Sequence, residues 1–433
     1  MTKLKNTITA FLLVFTLCST AQQTPAPKQT EVITIIGATA HLGNGNVIDN
    51  SIIIFEDGKL TTVADATTTK TTSKGKIIDA KGKHVYPGFI MPNSTLGIAE
   101  ISAVRATRDF DEIGEMLPHI RSLIAYNAES KIIESLRPNG VLLAQITPRG
   151  GRISGTSSIV QFDAWNWEDA AVKVDDGIHL NWPNSFSRGR WWLGEPRGFR
   201  PNKNYSKNIN ELKDFLTEAK AYSKGNKNPR DLPYEATEGL FNGSQKMYIH
   251  ANGAQEITDA ITFTKNIGIN DLVLVAGYKV ENVIDLLKKY NIPVLISRTH
   301  RNPNSEDDSY DLPHSLPKIL TDAGILVGLE NSGQMERMNS RNLPFYAGTV
   351  AAQGMDKEDA LQLITSNTAK ILGIDTNYGT LEVGKSATLF ISNGDALDMK
   401  TNQLTHAFID GRAISLETHQ TKLYKRYAKK YSK

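Results

Sequence analysis

The strongest constraint on the fold is an alternation of strand and helix patterns that runs from about Pro87 to Ile374. Short β-branched runs recur in this segment, and amphipathic helical patterns follow several of them. Such an alternation predicts an α/β fold, a (β/α)8 TIM-like barrel. The predicted strands are Val141–Ile146, Lys246–His250, Asp271–Val275, Ile292–Ser297 and Ile325–Gly328, and the predicted helices are Ser206–Tyr222, Ala254–Asn266, Glu281–Tyr290 and Asp356–Leu372.

Strand patterns without helices flank this alternation on both sides. Residues 32–86 hold β-branched runs broken by Gly-Asn, Asp-Gly and Lys-Gly turns, and residues 375–416 repeat the pattern. We therefore predict a small β-sandwich domain built from both chain ends, with the barrel over residues 87–374 between its two parts.

The N-terminus has the organisation of a secretory signal peptide. Lys3 and Lys5 precede an apolar run, Ile8–Leu17, and small residues follow it up to Ala21. The run is too short to cross a bilayer stably. We predict a signal peptide over residues 1–21 and an exported protein, periplasmic or extracellular.

The single cysteine, Cys18, lies inside this predicted signal. A lipoprotein signal using Cys18 is the alternative, and Leu17 disfavours it because a small residue is expected there. If the predicted signal is removed with Cys18, the mature chain has no cysteine and forms no disulfide. Residues 22–31, polar with two prolines, are predicted to be a flexible linker.

Tryptophan is concentrated in one segment, because all five tryptophans lie between Trp165 and Trp192. The surrounding sequence is too rich in glycine, arginine and aromatic residues for a regular helix. We predict an excursion from the barrel over residues 162–202. A self-packed loop, a lid over the barrel mouth and an oligomer contact remain open.

The C-terminal tail, residues 417–433, is strongly basic. Its last twelve residues include six Lys or Arg, and Tyr424, Tyr427 and Tyr431 share one helical face. A solvated terminal helix is the first interpretation, and contact with anionic lipid or a polyanion is the alternative.

Four segments carry a resemblance to a known family: HVYPGFIMPN, MYIHANGAQEITDAI, GILVGLENSG and SNTAKILGIDTNYGTLEVGKSATLFISNGDALD. The chain resembles the amidohydrolase superfamily, near its imidazolonepropionase-like and dihydroorotase-like members. The resemblance implies one or two divalent metals at the C-terminal mouth of the barrel. Such a metal activates water for attack on a carbonyl or imine carbon.

The metal ligands that the resemblance implies are incomplete in this chain. Asn93 and Thr95 stand where the family pattern has two histidines, and Gly277 stands near a third. His250 and Glu330 remain as the predicted catalytic residues and as weak metal ligands. The resemblance thus implies one divalent metal, such as zinc, as the cofactor. A purely structural role for His250 is the alternative.

Two polar loops supply predicted substrate contacts. Arg149 and Arg152 lie among small turn-forming residues after a strand, a pattern that suits anion binding. His300 and Arg301 follow another predicted strand, in a loop that a barrel would place at its mouth.

We therefore expect an exported hydrolase of a non-peptide C–N bond in a small amide or cyclic amide, with an atypical or incomplete metal site. The alternative is an inactive binding protein, or the partner subunit of an active paralogue. The expected partners are a small-molecule ligand or substrate and, among proteins, a second copy or a paralogous subunit. A net charge of only +3 argues against nucleic acid.

Overall fold

The computed structural model describes residues 24–189, 191–194 and 198–432. The predicted signal peptide, residues 1–21, lies outside the described residues. Two sheets of eight strands organise the rest, one as a barrel and the other from both chain ends.

Eight strands form the nearly closed barrel, in sequence order around it. Its two end strands lie side by side, and the segment Leu363–Ile364 connects them through its carbonyls, which accept hydrogen bonds from the Leu329 and Ile90 amides. The strands are β6 Phe89–Ser94, β7 Val141–Ile146, β8 Ile153–Gln161, β9 Ala171–Asn181, β12 Lys246–His250, β13 Leu272–Ala276, β14 Val294–Ser297 and β15 Val327–Glu330.

The predicted barrel is confirmed, with one departure from strict (β/α)8 order. Strand β8 runs antiparallel to both β7 and β9, whereas the other neighbouring barrel strands pair in parallel. The connections before and after β8 are short, and hairpins of this kind join antiparallel strands. No crossover helix is therefore needed at this side of the barrel.

The predicted excursion over residues 162–202 needs correction, because β9 lies inside it. Strand β9 pairs with β8 on one side and with β12 on the other. The described residues on either side of β9 include a short helix, Trp167–Ala170, and the small hairpin of β10 Phe186–Arg188 and β11 Phe199–Pro201.

The second sheet confirms that both chain ends build one unit. The N-terminal strand β5 pairs with the C-terminal strand β16, and the two parts share a core that includes Phe55 and Phe408. The strands are β1 Ile33–His41, β2 Val47–Glu56, β3 Lys59–Asp65, β4 Lys76–Asp79, β5 His84–Pro87, β16 Leu389–Ser392, β17 Leu404–Ile409 and β18 Arg412–Ala413.

Helices pack around the barrel, and the four predicted helical segments are all present. Predicted Asp356–Leu372 divides into α11 and α12, since Leu363–Ile364 between them bonds to the barrel strands. The helices are α1 Lys131–Glu134, α2 Trp167–Ala170, α3 Tyr205–Lys224, α4 Leu232–Ala236, α5 Glu238–Asn242, α6 Ala254–Ile267, α7 Ile284–Tyr290, α8 Leu312–Asp322, α9 Glu336–Asn339, α10 Leu343–Ala352, α11 Lys357–Gln362, α12 Ser366–Leu372 and α13 His419–Tyr431.

Candidate active site

The carboxyl ends of the barrel strands bring several predicted site residues to one rim. Asn93 is the last residue but one of β6, His250 ends β12 and Glu330 ends β15. Arg149 follows β7 by three residues. Because these strands are parallel, their ends open at the same mouth, where barrel enzymes place their chemistry.

His250, which is partly buried, is one half of an imidazole pair. Its Nε2 lies 2.8 Å from Nδ1 of His179, a residue of β9 that is fully buried. Burial, with the nearby Arg149 charge, lowers the pKa of His250 to about 3. Burial, followed by His250 and Arg149, also lowers the pKa of His179. Both rings are therefore neutral at pH 7, and a single N–H···N hydrogen bond connects them.

The sequence reasoning missed His179, because β9 was assigned to the Trp-rich excursion. His179 stacks on Tyr248 with ring centroids 4.6 Å apart, and it pairs with Tyr248 across β9 and β12. A histidine in an alternating strand pattern just before Asn-Trp-Pro-Asn was the available signal. The His179 Nε2 atom is buried and has no hydrogen-bond partner.

Glu330 is a fully buried carboxylate that accepts four hydrogen bonds. The Ser297 and Ser332 hydroxyls donate to it at 2.9 and 3.0 Å, Asn93 Nδ2 donates at 3.3 Å, and the Ser332 amide also donates. Burial raises the pKa of Glu330, and the donors and the Arg149 charge oppose that rise. Desolvation of the charged form is the dominant effect.

Arg149 is held at the centre of the mouth by the first barrel strand. Its two terminal nitrogens donate to the side-chain oxygen and the carbonyl of Asn93, each at 2.9 Å. Asn93 adopts a left-handed backbone, φ 49°, which asparagine tolerates better than most residues. Arg149 also approaches Glu336 at 3.4 Å, and Glu336 in turn accepts the Thr95 amide at 2.5 Å.

Arg301 joins this mouth and contacts Gly277, the position that the resemblance sets near the third histidine. Its guanidinium donates to the Gly277 carbonyl, and Glu330 opposes the lowering of its pKa that burial causes. A Cβ at Gly277 would lie 3.1 Å from the Ser297 hydroxyl. A larger side chain at that position would therefore need its neighbours to move.

Two other predicted substrate contacts have partners elsewhere. Arg152 pairs with Glu211 of α3 at 2.7 Å and lies 3.8 Å from Glu115. His300 bonds the Thr349 hydroxyl of α10 at 2.7 Å. The structure thus brings together Arg149, Arg301, His250 and Glu330, whereas Arg152 and His300 face other partners.

The residues at the mouth do not fit a zinc site. No group of three His, Cys, Asp or Glu with metal-binding geometry occurs in the described part of the chain. His179 and His250 bond to each other, and Glu330 is saturated by donors. The Arg149 guanidinium lies close enough to lower the pKa of both histidines, and its charge would repel a divalent cation.

A cleft of about 820 Å³ opens beside Arg149 and Glu336. Its wall is partly apolar, and Met335 and Met338 stand exposed in it. Two further guanidinium groups, of Arg108 and Arg337, line the cleft, and the Arg108 Nε atom is buried without a hydrogen-bond partner. The cleft therefore suits a small molecule with an apolar body and an anionic group.

Comparison with known proteins gives a family match over part of the chain. Residues 251–414 match the profile of the amidohydrolase family. A search of curated protein sequences gives no match. An amidohydrolase from Thermotoga maritima MSB8 is similar in structure, with a TM-score of 0.76, 23% identity and coverage of 88% of this chain and 99% of that chain.

Two other solved structures share the fold at lower similarity. An adenosine deaminase from Xanthomonas campestris with bound zinc has a TM-score of 0.54, 14% identity and coverage of 93% of this chain and 99% of that one. Molinate hydrolase has a TM-score of 0.51, 15% identity and coverage of 91% and 96%. Identities this low establish the fold alone.

Proposed function

We propose that this chain, whose residues 251–414 match the amidohydrolase family, is a hydrolase of a C–N bond in a small anionic amide or cyclic amide. One observation carries the proposal: Glu330, His250 and Arg149 converge at the catalytic end of the barrel. Barrel enzymes place their active sites at this end, and the cleft lined by Arg149 offers room for a substrate.

The roles follow from charge and protonation. Burial raises the pKa of Glu330 and lowers the pKa of His250, and such perturbed pKa values at a barrel mouth are typical of functional sites. We assign Glu330 as the base that takes a proton from the attacking water and returns it to the leaving nitrogen. Neutral His250 orients the substrate, and Arg149 and Arg301 stabilise the negative charge that develops on the carbonyl oxygen.

Site variants of the full chain test this proposal against a panel of N-acyl amino acids and cyclic amides. Glu330→Gln and His250→Ala should each lower turnover by about 100-fold or more, because the first removes the base and the second removes the group that orients the substrate. His300→Ala is the control and should retain turnover, since His300 bonds the Thr349 hydroxyl of α10 and none of the four site residues. Thermal unfolding of each variant checks that the fold persists. Unchanged turnover in both site variants would refute the assignment.

A second candidate, a non-catalytic binding protein or the partner subunit of an active paralogue, has its own supporting observation. All four donors around Glu330 are already engaged, and its side chain has no exposed surface. In that case the panel compounds would raise the unfolding temperature without being hydrolysed. Arg149→Ala would then weaken binding. Wild type and Glu330→Gln would both show no turnover.

Export completes the proposal. The basic start and short apolar run of residues 1–21 support a secreted or periplasmic location, and mass spectrometry of the N-terminus of protein exported by a host cell would test cleavage after Ala21.

A further inference from the structure

The C-terminal helix α13 stands apart from the core of the protein. None of its residues is buried, and the side chains of Tyr424, Tyr427 and Tyr431 are 75%, 50% and 73% exposed. A capping box at Thr418 and a bond from the His419 amide to Glu134 of α1 fix its start. The helix is thus a formed element whose sides are free of core packing.

Aromatic and cationic side chains occupy different sides of this helix. At about 100° per residue, the three tyrosines fall within a sector of roughly 60°, and the basic residues spread over the other sides. The segment from His419 to Ser432 contains no Asp or Glu. Arg426 and Lys430 lean over the rings of Tyr427 and Tyr431, at 5.1 and 5.2 Å from the centroids. The basic residues are Lys422, Lys425, Arg426, Lys429 and Lys430.

From this segregation we propose that α13 lies in the plane of an anionic lipid surface and holds the protein there. Tyrosine combines an apolar ring with a polar hydroxyl and suits the headgroup region, and lysine and arginine stems can extend towards anionic headgroups. The helix does not cross the bilayer: the described chain offers no helix both long enough and apolar enough to do so.

Charge and pattern favour lipid over other occupants. A second copy of α13 would bring five cations against five cations, which repel each other. A single-stranded nucleic acid needs stacking rings and phosphate contacts along one face, whereas here the rings and most of the cations lie on different sides. An anionic bilayer can bind both the tyrosine side and the cationic sides of the helix. The cations of a helix lying on the bilayer remain within about one Debye length, roughly 8 Å, of the anionic headgroups.

Co-sedimentation of the full chain with vesicles tests the proposal. We expect binding to vesicles of phosphatidylcholine with 30% phosphatidylglycerol, at least about tenfold stronger than to phosphatidylcholine alone, and weakened by high salt. The triple variant Lys422→Glu, Arg426→Glu, Lys429→Glu should lose that excess. Tyr424→Ser with Tyr431→Ser should weaken it too, since the rings contribute apolar contact.

A matched control separates the helix from general surface charge. Lys203→Glu, Lys207→Glu and Lys224→Glu change the same number of exposed cations, on or next to α3, and should leave vesicle binding unchanged. Equal binding by wild type and the α13 triple variant would overturn the proposal. So would binding to inorganic polyphosphate without binding to vesicles, which would make the surface a polyanion site instead.

Discussion

At the residue scale, the His250–His179 pair makes the free energy of unfolding depend on pH. The pKa of His250 is lowered from 6.5 to about 3, so the unfolded chain binds more protons than the folded chain between those pH values. Stability due to neutral His250 is therefore present above pH 6.5 and is lost as the pH falls towards 3. Between pH 7 and pH 5 this loss amounts to about 2 kcal/mol.

Replacing His250 by a residue that does not titrate should remove that loss. His250→Gln should make the free energy of unfolding flatter between pH 7 and pH 5 by about 2 kcal/mol relative to wild type, measured by urea unfolding. His419→Gln, at an exposed position on α13, is the control and should follow wild type. Identical pH profiles for wild type and His250→Gln would show that the pair is not held neutral by burial.

Arg149 and Arg152 lie in the same loop but should contribute differently to stability. Arg149→Ala leaves the Asn93 oxygens and buried Glu336 without their cationic partner, and should destabilise the fold by about 2–3 kcal/mol. Arg152→Ala removes pairs with the more exposed Glu211 and Glu115 and should cost under about 1 kcal/mol. Urea unfolding of both variants measures the difference, and equal losses would contradict the central position of Arg149.

The sequence predicts part of this site for a physical reason. His250 and Glu330 end strands that have clear apolar patterns, so their place at the rim follows from the strands. His179 could not be placed in the same way, because its strand has tryptophan-rich neighbours on both sides. Arg152 and His300 lie in loops, and the sequence does not tell which partner a long loop side chain meets.

At the element scale, close approach of backbones fixes how α10 packs. A Cβ at Gly348 would lie 2.2 Å from the Leu397 carbonyl oxygen. Gly348→Ala should therefore destabilise the protein by about 1–3 kcal/mol, even though alanine favours helix formation by about 1 kcal/mol. Thermal unfolding measures the effect, and a rise in the unfolding temperature would contradict the packing of α10 against Leu397.

The barrel strands also show which elements pattern alone can find. Strands β12 to β15 are short apolar runs followed by helices, and the alternation predicted them. Strand β8, with the sequence ISGTSSIVQ, is buried throughout although it is rich in serine and threonine. Its polar groups bond inside the barrel, as Ser157 does with Gln145, so composition gives little sign of its burial.

At the scale of the whole molecule, the sheet from the two chain ends and the barrel should unfold together. The rings of Tyr86 and Phe390 in the sheet stack 5.4 Å apart, and Phe89 of the barrel packs on Phe390 at 4.9 Å. His41 of β1 also bonds Glu358 of α11 at 2.6 Å. These contacts couple the two units through a buried junction.

A sheet mutation therefore should lower the stability of the barrel. Trp182 is 4% exposed and packs in the barrel core, so its fluorescence reports barrel unfolding. Phe408→Ala, in the sheet core, should lower the urea midpoint seen by tryptophan fluorescence, in line with a loss of about 3–5 kcal/mol. Tyr310→Ala, at an 85% exposed side chain, should leave it unchanged. A fluorescence midpoint unaffected by Phe408→Ala would mean that the units unfold separately.

We propose that this barrel mouth acts through Glu330, His250 and arginine, without a bound metal. The most direct measurement combines elemental mass spectrometry of protein purified without chelators with an assay of the same preparation on the amide panel. We expect metal far below one atom per chain and turnover that depends on Glu330. About one zinc per chain, lost together with turnover in His250→Ala, would contradict the proposal.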